Sequence, residues 1–286
     1  MNTQSLLRKW RLRPNKALGQ NFLVDQEVLD RITRAAQLTP NDIVLEIGAG
    51  TGTLTKRLAR NAGFTVSVEL DRQLMPILDS ELSQFDKLVL IQGDILRLDP
   101  ASLINEATGQ PTLAEPTYKV VANLPYYATS AVLRHLLEAE RKPRLMVITV
   151  QKEVAERIVA APGNMSILAV SVQFYGEPEL LFRVGPDSFY PPPEVESAVL
   201  RVEIPPSPPL PDEQVGAFFQ VVRAGFSQRR KQLHNSLSAG LGTRVSKQQA
   251  AARLENAGID HRRRAQTLSI AEWIALTRAF RDVISA

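Results

Sequence analysis

The chain of 286 residues contains no cysteine. Disulfides, thiolate nucleophiles and cysteine-type zinc sites are therefore excluded, and a reducing compartment, the cytoplasm, is the expected location. Histidine is nearly as scarce. His135, His234 and His261 are isolated and lack an acid pattern around them, so no metal site is expected. Long apolar runs are missing too: the longest uncharged stretch, 158–176, is broken by Pro162, Gly163 and Asn164, and no membrane span is expected. Leu6 and Leu7 are followed at once by Arg8, Lys9, Arg11 and Arg13, which is unlike a secretory signal. Hydrophobic residues at 44% and charged residues at 22% are ordinary globular proportions and exclude a disordered or fibrous chain.

The net charge of +4 conceals an asymmetry: residues 1–16 sum to +5, residues 17–222 to −9 and residues 223–286 to +8. An acidic body with two basic ends suits a polyanion gripped from two sides, although basic ends can also be mere solvated tails. Pro-Pro-Ser-Pro-Pro-Leu-Pro at 205–211 cannot hold a helix and reads as a linker between a domain of residues 1–204 and one of residues 212–286. Upstream, β-rich runs at 43–47, 64–69, 88–92, 119–122 and 145–150 alternate with helical patterns. That alternation predicts an α/β fold with a doubly wound, Rossmann-like parallel sheet. Two further runs, 179–184 and 197–203, predict an antiparallel edge. Downstream, Phe218, Val222, Phe226, Leu233 and Leu237 keep helical spacing, as do segments near 247–257 and 270–283, predicting a small all-α C-terminal domain.

The first predicted strand runs into Gly48-Ala49-Gly50-Thr51-Gly52. A glycine turn before a helix lets backbone N–H groups approach a ligand closely. Its G-x-G-x-G spacing is neither the dinucleotide pattern nor a phosphate loop, which favours a ligand without pyrophosphate. Glu69 ends the second strand, where an acid can accept from both ribose hydroxyls, and Asp94 follows the third, where it can accept from an adenine amine. Each is singly explicable as a turn or a capping acid. At the ends of three successive strands they outline a nucleoside site, and S-adenosyl-L-methionine is the ligand that fits.

The fourth strand ends at Asn123-Leu124-Pro125-Tyr126. An adenine N6 amine is a poor nucleophile because its lone pair is delocalised into the ring. Acceptance of its two N–H bonds by the Asn123 oxygen and a carbonyl near Leu124 or Pro125 would aim that lone pair at a methyl group. The catalytic contribution is then orientation and electrostatics, with no general base. Tyr126 would stack on an extruded base.

These motifs, with Lys16-Ala17-Leu18-Gly19-Gln20-Asn21-Phe22-Leu23, Gln151-Lys152-Glu153-Val154-Ala155-Glu156-Arg157, Phe189-Tyr190-Pro191-Pro192-Pro193 and Arg229-Arg230-Lys231, closely resemble the KsgA (RsmA) family of ribosomal RNA small-subunit adenine-N6,N6 dimethyltransferases over nearly the whole chain. The resemblance implies that Asn21 and Leu23 join Gly48, Gly50, Glu69, Asp94 and Asn123 as cofactor contacts. It implies that Phe189 pairs with Tyr126 around the target adenine. It also implies dimethylation of two adjacent adenosines in the 3′-terminal hairpin of small-subunit (16S) RNA within an assembling 30S particle, by a monomer. Two stretches depart from the family pattern: Asn164-Met165-Ser166-Ile167, and Glu194-Val195-Glu196-Ser197 in place of Lys-Val-Asp-Ser.

Arg223, Arg230 and His234, with Arg229 and Lys231 beside them, are expected to form a basic stripe on one helix, with the cations contacting RNA phosphate. Three other functions compete. A macrolide-resistance-type methyltransferase would act on large-subunit (23S) RNA. A DNA adenine methyltransferase usually carries Pro-Pro where Leu124-Pro125 stands. A non-enzymatic assembly factor would have no use for an intact Asn-Leu-Pro-Tyr.

Overall fold

The computed structural model describes residues 3–109 and 118–284. They divide into two compact units: the chain up to Ala155 together with Glu177–Ile204, and Glu156–Gly176 together with the chain from Pro205 onward.

The first unit is built on nine strands: β1 (Phe22–Leu23), β2 (Ile43–Ile47), β3 (Phe64–Glu69), β4 (Leu88–Gln92), β5 (Tyr118–Asn123), β6 (Leu145–Gln151), β7 (Glu177–Val184), β8 (Phe189–Tyr190) and β9 (Ser197–Glu203). Seven of them form one sheet in the order β4-β3-β2-β5-β6-β9-β7. The first five run parallel, and β9 lies antiparallel to both β6 and β7. Val44, Leu45, Val66, Val120 and Val121 are fully buried, as expected of central parallel strands covered on both faces by helices. The strand order reverses between β2 and β5, so their C-terminal ends open a crevice there.

The opposite end of the sheet is closed by charge. Lys119 of β5 is buried, and its Nζ donates to the carbonyls of Ala36 (3.0 Å) and Gln37 (2.5 Å) and to Asp42 Oδ2 (3.0 Å). Arg144 pairs with the other Asp42 oxygen. Burial pushes the Asp42 carboxyl up, but the hydrogen bonds from Lys119 and Thr39 outweigh it and leave the group below the usual carboxylate range.

Two elements of this unit lie outside the sequence expectations. The basic N-terminal segment opens as a helix, Thr3–Lys9, that buries Leu6 and Leu7 against Phe22, Leu74 and Ile77. β1 and β8 form a separate antiparallel ribbon pairing Phe22 with Tyr190 and Leu23 with Phe189. The Tyr190–Pro191 peptide bond is cis.

In the second unit the helices are Ile167–Tyr175, Asp212–Phe226, Leu233–Leu241, Lys247–Asn256 and Ile270–Ala279, with a short final turn, Arg281–Ile284. Ser246 with Gln249 and Ser269 with Glu272 form capping boxes that start two of them. The contiguous first domain of residues 1–204 is corrected here: Glu156–Gly176 belongs to the second unit. The reason is aromatic packing, since Phe174 stacks on Phe218 with ring centroids 4.1 Å apart and Tyr175 lies 5.8 Å from Phe219.

Candidate active site

The cleft at the reversal point is lined by residues from the ends of β2, β3, β5, the 18–22 segment and Phe189. Gly48 and Gly50 leave β2 with φ of +82° and +58°, a backbone region that disfavours side chains. A Cβ on Gly50 would also lie 3.0 Å from the Phe22 ring. This turn is thus narrow by construction, and it presents backbone rather than side chain to the cleft.

Glu69 is 6% exposed. Its Oε2 accepts from Gly50 N at 2.7 Å and its Oε1 from Asp71 N at 2.8 Å, so the carboxylate ties the glycine turn to the end of β3. Gln20 Nε2 donates to Asp71 Oδ2 at 2.7 Å, bringing the 18–22 segment into the same network. Burial raises the Glu69 pKa, and the two backbone N–H bonds oppose that rise. Behind it Glu46 of β2 is fully buried; Ser67 Oγ donates to its Oε2 at 2.6 Å, while Oε1 meets no hydrogen-bond geometry among the described residues. Burial pushes Glu46 up to about 7 against the Ser67 bond, with the Glu69 charge adding to the rise. Asp94 lines the cleft and also caps the turn after β4, accepting from Leu96 N at 3.0 Å.

At the end of β5, Asn123 Nδ2 donates to the Asn21 carbonyl at 3.0 Å. Leu124 N is held by the Thr149 carbonyl at 3.2 Å. The Pro125 carbonyl accepts from Ala128 N (3.0 Å) and Thr129 Oγ1 (3.3 Å), so it belongs to the following turn. Of the two carbonyls that sequence left open, the Leu124 oxygen is the one without a hydrogen bond among the described residues. Tyr126 Oη lies 2.7 Å from Ser197 Oγ, and Phe189 is 4% exposed beside the same cleft.

The expected site residues thus converge, with exceptions. Asn21, Gly48, Gly50, Glu69, Asp94, Asn123, Leu124, Pro125, Tyr126 and Phe189 all line the cleft. Leu23 does not: its side chain is buried in the core with Val28, Leu29 and Phe189. Tyr127 was not anticipated; it is 63% exposed at the cleft wall, and its ring would lie 3.3 Å from a Cβ on Gly19. Two consecutive tyrosines after a proline were the available signal.

The basic residues need a correction. Arg229, Arg230 and Lys231 are exposed but not helical, because the Asp212–Phe226 helix ends and the next begins at Leu233. The break is stapled by Ser227 Oγ donating to the Ser236 carbonyl (3.0 Å) and Ser236 Oγ to the Gln228 carbonyl (3.1 Å). Arg223 is exposed on the preceding helix, and no side-chain partner engages these four cations among the described residues. His234 leaves the expected stripe, its Nδ1 lying 2.9 Å from the His261 carbonyl.

The cleft suits S-adenosyl-L-methionine. It offers a glycine turn with close backbone approach, a buried acid with one lone pair per oxygen still available, and a second acid beyond β4. Among the described residues no cluster of histidines and acids could hold a metal, and no helix is long and apolar enough to cross a membrane.

The model of the family "Ribosomal RNA adenine dimethylase" matches residues 11–276. A curated relative, "Ribosomal RNA small subunit methyltransferase A" of Dehalococcoides mccartyi, is 46% identical over 279 residues, covering 98% of this chain and 92% of its own. Among solved structures, a dimethyladenosine transferase from Plasmodium falciparum aligns with a TM-score of 0.77 and 24% identity over 92% of this chain and 98% of its own, which speaks to the fold. The 23S rRNA methyltransferase ErmE aligns with a TM-score of 0.71 and 26% identity over 91% of this chain and all of its own. Matched across both compact units and through every segment that lines the cleft, the chain belongs to the ribosomal RNA adenine dimethylase family.

Proposed function

We propose that this protein transfers methyl groups from S-adenosyl-L-methionine to N6 of two adjacent adenosines in the 3′-terminal hairpin of small-subunit ribosomal RNA, within an assembling 30S particle. The single observation that carries this reading is the acceptor pair at the end of β5: an Asn123 amide anchored by Asn21 and a Leu124 carbonyl with no hydrogen bond among the described residues. When bound, the cofactor supplies an electrophilic sulfonium methyl. Gly48, Gly50, Glu69 and Asp94 are the residues that would hold it.

Asn123 Oδ1 and the Leu124 carbonyl accept the two N6 hydrogens and draw the nitrogen toward tetrahedral geometry, with its lone pair turned to the methyl. Tyr126 and Phe189 hold the ring by stacking. Apart from the tyrosines, Glu69 and Asp94 are the only ionisable groups among the described lining residues, and both are assigned here to the cofactor. A general base is unnecessary, because a methylated ammonium on an adenine ring is acidic enough to release its proton to water. The exposed cations at Arg223, Arg229, Arg230 and Lys231 bind RNA phosphate. In this reading the protein works as a monomer in the cytoplasm, where subunits assemble.

The likeness to ErmE favours a second reading, large-subunit RNA as substrate; the 46% identity to a small-subunit methyltransferase weighs against it. Mass spectrometry of RNA after incubation of immature small subunits, or of large-subunit RNA, with protein and labelled cofactor separates the two. Dimethyladenosine in the small-subunit hairpin is the expected result, and label confined to large-subunit RNA would overturn it.

A further inference from the structure

Two stretches singled out by sequence, the run beginning at Gln151 and the departure at 194–196, meet in the structure. Lys152 N donates to the Glu196 carbonyl at 3.0 Å, and Lys152 Nζ reaches Glu196 Oε2 at 2.6 Å. These bonds extend by one residue the antiparallel β6–β9 ladder, which ends with Gln151 opposite Ser197. On its other side Ser197 pairs with Val184 of β7. Ser197 is fully buried and is followed by the buried apolar residues Ala198, Val199 and Leu200. Its hydroxyl has one partner among the described residues, the phenol of Tyr126 at 2.7 Å.

We propose that Ser197 is a positioning residue for the target adenine, holding the far end of Tyr126 so that the ring stands in place before the base arrives, with the Lys152–Glu196 pair latching the strand end that carries it. The proposal rests on the reading of Tyr126 as a surface for the base. A tyrosine held only at its Cα swings about χ1; held also at its oxygen, it does not. The entropy of fixing the ring is then lost on folding and need not be lost again when RNA binds. Burial raises the Tyr126 pKa, against the Ser197 bond, so the phenol keeps its proton through the neutral range. A hydroxyl set at the head of an apolar strand costs desolvation unless it is paired, and here the pairing partner is a cleft residue.

The test is a double-mutant cycle on the full chain: wild type, Tyr126→Phe, Ser197→Ala and both together, assayed with small-subunit particles and labelled cofactor. Each single variant is expected to lower kcat about 2- to 12-fold, the range implied by one net hydrogen bond, with the double no worse than either. Calorimetric affinity for S-adenosylmethionine should be unchanged in all four. Independent effects that multiply in the double, or cofactor affinity that falls in step with rate, would overturn the proposal. Tyr126→Phe leaves the strand untouched and keeps the test valid should Ser197→Ala fail to fold. Wild type that makes no dimethyladenosine refutes the proposed function; an active wild type with both single variants unchanged refutes this inference alone.

Discussion

Asn123 reaches across 102 positions of sequence to give its side-chain amide to the main-chain carbonyl of Asn21, at 3.0 Å. A carbonyl only accepts, so the NH2 must face it, and Oδ1 is turned the other way, with no hydrogen bond among the described residues. In the function proposed above, the segment carrying Asn21 thereby decides which end of the Asn123 amide the substrate meets.

Asn123→Ala should therefore lower kcat on the order of 100-fold or more, the scale for removing one preorganised transition-state partner. Cofactor affinity should change far less. Calorimetry beside single-turnover rates measures both, and equal losses would make Asn123 chiefly a cofactor ligand.

Glu69→Ala should weaken S-adenosylmethionine binding by about 1–3 kcal/mol, since a buried charged acceptor is removed. It also releases Gly50 N and Asp71 N, so the glycine turn loses its tie to β3. Unchanged calorimetric affinity would dismiss the ribose assignment.

Glu46 makes stability depend on pH. Its folded pKa, about 7, lies above the ordinary 4.5, so the folded state binds the proton more tightly than the unfolded chain does. The stability it contributes is complete below about pH 4.5 and is lost as pH rises through about 7. Glu46→Gln keeps an acceptor for Ser67 without a charge, so relative to wild type it should gain stability from pH 5 to pH 8. Parallel denaturant-midpoint curves for the two proteins over that range would contradict this.

Replacing Arg229, Arg230 and Lys231 with Ala should weaken RNA binding and flatten the slope of log affinity against log salt by up to about two to three units, if each cation neutralises a phosphate. All three sit on one exposed turn, so the helices on either side should be unaffected, as circular dichroism would show. An unchanged salt slope would return the turn to plain solvation.

The end product should be dimethyladenosine, and Phe189→Ala should impair the second transfer more than the first. After one methylation the amine has a single N–H, so either Asn123 Oδ1 or the Leu124 carbonyl loses its partner, while stacking is indifferent to the N–H count. Chromatography of nucleosides during the time course reads the ratio. Monomethyladenosine alone from wild type with excess cofactor would contradict dimethylation.

Sequence anticipated best what depends on local chemistry. The first three parallel strands fall at 43–47, 64–69 and 88–92 as expected, because short stretches rich in β-branched and aliphatic residues favour extended backbone. Glycines at positive φ and acids at strand ends were equally visible. Long-range pairing was not. β1 and β8 are two residues each, too short for any alternation to register, and their paired residues lie 166 and 168 positions apart. The 227–231 break escaped because apolar spacing from Phe226 to Leu233 continues the helical period across it, while the bonds that make the turn come from Ser227 and Ser236. Leu23 was carried into the site by family resemblance, and its side chain is in the core.

Phe174 stacked on Phe218 has a consequence for biosynthesis. The second unit takes one helix from the middle of the chain and the rest from beyond Pro205, so the aromatic packing cannot form until the helix Asp212–Phe226 has been synthesised. Until then the helix Ile167–Tyr175 emerges with its aromatic partners still unsynthesised. A chain released at residue 204 would keep that helix permanently bare, with Phe174 and Tyr175 open to association with other chains. The proline-rich segment is thus a poor place to cut: a stable fragment of the sheet unit would need the 156–176 excursion replaced by a short connection from the start of the Lys152–Ile158 helix to β7.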